Sequence, residues 1–201
     1  MSKKIFDPDC RVAPVPVVVV SCAGEDAKGN LMTAAWAGNI CSDPPMVYVS
    51  IRPERYSYEL IKQSGEFVIN LVNSDMLKGA DRCGLYSGKS CDKWELSGFT
   101  PGECSAVSAP LIEESPLSIE CKLTEIIELG SHDMFLGKVV AVDADEKYID
   151  EYGRIRLNNA GLVSFINKSY VLADNFAEDM GFTLRKKKPT EHKKETPKKE
   201  K

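Results

Sequence analysis

The chain has 201 residues, 43% hydrophobic and 28% charged, which is enough apolar material for one core of ordinary size. No stretch approaches the ~20 consecutive apolar residues of a membrane helix, and Met1 to Asp9 carries two lysines with no apolar segment behind them, so it does not read as a secretory leader; a cytoplasmic protein with no membrane association is expected. Seven cysteines, an odd set without a CxxC pair, argue against a disulfide framework and match no zinc or iron–sulfur spacing, so no metal site is predicted.

In chain order, Val15 to Ser21 is the first strand, rich in β-branched residues. Turn signals follow at Gly24 to Asn30 and at Asp43-Pro44-Pro45, and Met46 to Ile51 is the next strand. A short helix is predicted from Ser57, a capping-type residue, to Gly65. Phe67 to Val72 is a strand, and a second short helix begins near Ser74. Leu117 to Ile127 and Met134 to Val142 are long strands, joined across Gly130-Ser131-His132 as in a hairpin. The sum is one α+β domain, mostly antiparallel β, over residues 1–184. Residues 185–201 hold nine Lys or Arg against three Glu and no large apolar residue. Such a segment has nothing to offset its ordering entropy and is expected to be a disordered, solubilising tail rather than a nucleic-acid reader.

Side-chain chemistry is scarce. His192 lies in the tail and only His132 remains in the body, so a hydrolytic triad has no support. GxGxxG and GxxxxGK[ST] are absent, so neither a Rossmann site nor a P-loop is indicated. Chemistry, if present, belongs to a cofactor. The richest stretch is Ser50-Ile51-Arg52-Pro-Glu-Arg55-Tyr56-Ser57, where a strand ends, two guanidinium groups follow and a helix begins. Free N–H groups of a first helical turn beside arginines suit a phosphate monoester. A capped helix flanked by solvated arginines is the competing reading of that stretch alone.

Several segments in order resemble the flavin reductase-like FMN-binding family, flavoredoxin branch: Asn30 to Trp36, Pro44-Pro45, Ser50 to Ser57, Gly65 to Asn70, Gly84 to Gly88, Ala109-Pro110, Glu120-Cys121 and Gly130 to Val139. The resemblance implies a split β-barrel, antiparallel and Greek-key-like with a few short helices. It also implies FMN bound near a homodimer interface, with electrons passing through the flavin. Thr33, Ala34, Ala35 and Trp36 would run along the flavin ring, Trp36 having a rival reading as a core or interface aromatic. Ser50, Ile51, Arg52, Arg55, Tyr56 and Ser57 would serve the ribityl chain and phosphate. The loop Ser87-Gly88-Lys89-Ser90, with Asp92-Lys93, would reach the phosphate or ring from a neighbouring wall or subunit, and His132, the one catalytic candidate, would lie near the flavin as a donor or a contact for nicotinamide. Function then divides between an oxidoreductase taking electrons from NAD(P)H or a redox partner and a non-catalytic FMN carrier or regulatory module.

Overall fold

The structure is a computed structural model in which residues 1–24, 29–173, 177–178 and 180–184 are described; the basic segment 185–201 lies outside the described residues. The predicted first strand is two strands. β1 (Val15–Pro16) and β2 (Val18–Cys22) lie in different sheets, because Pro16 has no N–H for a central ladder and sits on the edge strand of a small three-stranded sheet. In chain order there follow β3 (Asn30–Ala34), β4 (Ala37–Ser42), β5 (Pro45–Ile51), α1 (Tyr56–Ser64), β6 (Glu66–Leu71), α2 (Leu77–Leu85) and α3 (Lys93–Ser97). After them come the two-residue strands β7 (Pro101–Gly102) and β8 (Leu111–Ile112), the long pair β9 (Leu117–Glu128) and β10 (Asp133–Ala144), and the hairpin β11 (Leu162–Ile166) and β12 (Ser169–Ala173). The main sheet has seven strands in the order β3-β2-β6-β9-β10-β5-β4, and every pairing in it is antiparallel.

That order defines the barrel. β3 and β4 stand at opposite edges of the sheet, yet only Ala35 and Trp36 separate them in the chain. Two residues span less than about 11 Å even when extended, so the sheet must curl until the end of β3 comes back to the start of β4. The Ser50 N–H donates to the Trp36 carbonyl at 2.8 Å at this corner. The small sheet β1-β11-β12 packs beside it.

β2 is buried at every position, which follows from two different covers. Val18 and Val20 point into the barrel with Val49, Ile51, Phe67, Ile69 and Phe135. Val19 points outward, beneath α2 and α3, with Leu31, Ala80, Cys83, Trp94 and Phe99. Alternating side chains thus build two cores from one strand. Gly137 on β10 permits a close approach inside the barrel: a Cβ there would lie 2.6 Å from Phe67 Cζ and 3.0 Å from Cys121 Cβ.

Two carboxylates tie the irregular segment 105–108 to the sheet. Glu120, fully buried, accepts from the backbone N–H groups of Ser105, Ala106 and Val107 at 2.7–3.0 Å and from the Ser105 hydroxyl at 2.8 Å. Glu66 accepts from the Ser108 N–H and hydroxyl. No helix among the described residues is long and apolar enough to cross a membrane.

Candidate functional site

The closing corner is also where the predicted residues converge. Thr33, Ala34, Ala35 and Trp36 line one wall of a cleft of about 190 Å³, and Ser50, Ile51, Arg52, Arg55 and His132 line the other. They come together because β5 pairs with β10, setting Ser50 opposite Met134 and Ile51 opposite Asp133, while the Trp36 carbonyl holds Ser50. Small side chains at 34 and 35 leave the backbone open to a planar ligand. Thr33 turns its hydroxyl away, donating it in a short bond to the Ala80 carbonyl of α2.

Trp36 is 41% exposed, so it is not a core residue of this chain. Its ring lies 4.5 Å from the His132 ring, tilted by 46°. His132 Nδ1 is 3.0 Å from the Ser131 hydroxyl. Partial burial and then the positive charge of Arg52 hold the imidazole below its ordinary pKa of 6.5, so it is neutral at physiological pH. Arg52 pairs with Glu54 at 3.2 Å, both side chains remaining largely solvated. Arg55 is exposed and has no ion pair among the described residues.

The helix start differs from expectation. α1 begins at Tyr56 with Arg55 as its N-cap and no side-chain cap. Ser57 lies inside the first turn, is 1% exposed and accepts a 2.8 Å hydrogen bond from Asn30 Nδ2, so its hydroxyl is committed within the protein rather than turned to the cleft. Burial of the first turn against β3 draws the serine inward, which the capping rule does not foresee. α2 likewise has no side-chain cap: its N-cap is Met76, and Asn73 Oδ1 accepts from the Asp75 and Met76 N–H groups in the turn before it.

Gly88, Lys89 and Lys93 meet Tyr56 and Asn30 in a second polar cavity of about 280 Å³. Ser87 and Ser90 do not line it; they fold the loop on itself, the Ser90 N–H and hydroxyl both donating to the Ser87 carbonyl at 3.0 Å. Lys93 is only 5% exposed. Its Nζ donates to the Cys83 carbonyl at 2.8 Å, and it has no ion pair among the described residues. Burial pushes its pKa down from 10.5, as an isolated ammonium in a thinly solvated wall requires. Gly88 is there because a Cβ would collide with the Asn30 amide and lie 2.8 Å from Tyr56 Cδ1. Asp92 caps α3, accepting from Trp94 and Glu95 N–H, and this turn drives Lys93 inward.

Residues 10–161 match the flavin reductase like domain family. The flavoredoxin of Desulfovibrio vulgaris (Miyazaki F) superposes with a TM-score of 0.84 and 32% identity, over 92% of this chain and 100% of that one. The flavoredoxin of Methanosarcina acetivorans gives 0.81 and 28%, over 92% and 100%. In sequence, the NADH:riboflavin 5'-phosphate oxidoreductase of Streptomyces pristinaespiralis is 24% identical over 127 residues, 63% of this chain and 69% of that one.

Proposed function

Because the chain belongs to the flavin reductase-like domain family, of the flavoredoxin branch, we propose that it is an FMN-binding oxidoreductase. The observation that carries the reading is the buried, ion-pair-free Lys93 in a polar cavity beside the cleft at the barrel's closing corner. A phosphate dianion supplies the counter-charge that this ammonium lacks among the described residues.

The donor set fits FMN. Ala34, Ala35 and Trp36 offer backbone groups and a ring face to the isoalloxazine, and Ser50, Arg52, Arg55 and Tyr56 lie between that wall and the cavity of Lys89 and Lys93. FMN, when bound, supplies the electron-accepting and electron-donating ring. The chain's own task is to orient that ring, exclude water and neutralise the phosphate. His132, neutral and tilted against the Trp36 ring, presents one ring nitrogen to the cleft as a hydrogen-bonding group rather than a charge. NAD(P)H or a small redox protein is the electron donor in this reading.

A homodimer accompanies the proposal. Val140 and Val142 project on one face of β10 and Ile40 on β4, all at least 36% exposed, and such apolar sheet surface calls for a cover. Purified protein mixed with FMN, then with NADH or NADPH under anaerobic conditions, tests the function. Bleaching of the flavin absorption supports reductase activity; a bound flavin reduced only by a redox protein supports the flavoredoxin mode; absence of FMN binding overturns the reading. Sedimentation velocity tests the dimer.

A further inference from the structure

A third cavity, of about 220 Å³, lies on the far side of the Thr33–Ala35 segment, between the C-terminal turn of α2 and the β11–β12 hairpin. Its walls are apolar, from Val17, Leu85, Phe165 and Ala35. The Phe165 and Tyr170 rings meet there with centroids 5.5 Å apart and planes at 59°, an arrangement that leaves ring edge and face available to a third ring. One polar device interrupts the apolar lining. The Tyr170 hydroxyl donates to Asp81 Oδ1 at 2.8 Å, and among the described residues no donor reaches the other carboxylate oxygen.

We propose that this cavity is a binding site, separate from the flavin cleft, for a single-ring aromatic molecule carrying one O–H or N–H donor. The Asp81 carboxylate in its wall repels a phosphate group. The same carboxylate offers a charged acceptor, and a donor reaching it from an apolar ring makes the strong class of hydrogen bond. Burial and the neighbouring Asp81 push the Tyr170 phenol up to about 12, so it stays a donor to Asp81 and leaves the second oxygen for the ligand. Leu85, 72% exposed, forms the rim through which a small ring enters.

Phenol and toluene are the probes, since they share a ring and differ in the donor. They are titrated into the full-length, 15N-labelled protein, with and without saturating FMN, following backbone amide shifts. Phenol is expected to shift Gly84, Leu85 and Tyr170 saturably, to bind roughly tenfold more tightly than toluene, and to be unaffected by FMN. Asp81→Ala is expected to bring phenol to toluene's affinity while leaving toluene unchanged. Leu85→Trp, at the solvated rim, is expected to weaken both probes severalfold. The proposal is overturned if no saturable shift appears at those amides, or if the shifts centre on Arg52 and His132 and vanish with FMN. Equal binding of the two probes, or equal loss of both in Asp81→Ala, also overturns it.

Discussion

The Tyr58 hydroxyl donates to Asp133 Oδ2 at 2.7 Å, joining α1 to the first residue of β10 across 75 positions of sequence. Asp133 is 5% exposed and also receives the Leu129 N–H at 3.3 Å, so this one carboxylate fixes both the helix and the turn that presents His132.

Tyr58→Phe leaves that carboxylate oxygen buried without its donor. The expected cost is about 1–3 kcal/mol in urea denaturation, with the edge-on packing against Phe135 preserved. The hydrogen bond to Asp133, then burial, pushes the phenol up to about 12 from 10.0. A raised folded value stabilises fully below pH 10 and is lost as pH rises toward 12. The gap between wild type and Tyr58→Phe should therefore stay constant from pH 6 to 9 and close above 10; a gap that widens with pH contradicts the assignment.

His132 is held below 6.5, chiefly by burial and then by Arg52. For a basic group with a depressed folded value, the stability it lends is present above 6.5 and lost as pH falls through the lower folded value. Because the imidazole lies 4.5 Å from Trp36, its protonation should quench that indole. In a Trp94→Phe background, Trp36 fluorescence is expected to fall with a midpoint below pH 6.5. His132→Gln should remove the transition. A midpoint above 6.5 would sink the description of the site as neutral at pH 7.

Lys93→Met removes a buried ammonium without disturbing a surface. FMN affinity should fall about 10–100-fold, as expected for loss of a charge-assisted hydrogen bond, while riboflavin, which lacks the phosphate, should bind as before. Stability should change little, because the lost bond to the Cys83 carbonyl is offset by relief of the buried charge. Equal loss of both flavins would show that Lys93 shapes the cleft rather than binding the phosphate.

Half-buried Asp143 and fully buried Glu120 form an acidic pair. No donor reaches Asp143 Oδ2 among the described residues, and burial followed by its contact with Glu120 raises the Asp143 carboxyl to about 6 from 3.8. The donors of segment 105–108 hold the Glu120 carboxyl below its ordinary range, so the proton of the pair resides on Asp143. A raised acid stabilises fully below 3.8 and progressively less as pH climbs through 6. Asp143→Asn, which keeps a donor at every pH, should raise the melting temperature at pH 8 and match wild type near pH 4. Scanning calorimetry at the two pH values decides it.

How much of this was legible in the sequence follows the range of each interaction. The strands Met46 to Ile51 and Phe67 to Val72 and the long hairpin declare themselves through β-branched runs of local origin. β4 does not, since Ala37-Gly-Asn-Ile-Cys-Ser carries few of those residues and is a strand because β5 pairs with it. Arg52, Arg55 and the Thr33–Trp36 segment were readable as a site, and one cleft gathers them. The burial of Lys93, the engagement of Ser57 by Asn30 and the meeting of Glu120 with Asp143 depend on register between distant strands and helices, for which one sequence has no local signal.

The two-residue link between β3 and β4 has a kinetic corollary. Those strands are neighbours along the chain but terminal in the sheet, so the barrel closes at this corner only once β2, β6, β9, β10 and β5 have assembled between them. Loop-closure entropy makes such non-local pairing slow. In a refolding time course, far-ultraviolet ellipticity should therefore recover before flavin affinity does. The cleft proposed for the cofactor, built at that corner, would be the last feature to mature and a direct reporter of the finished barrel.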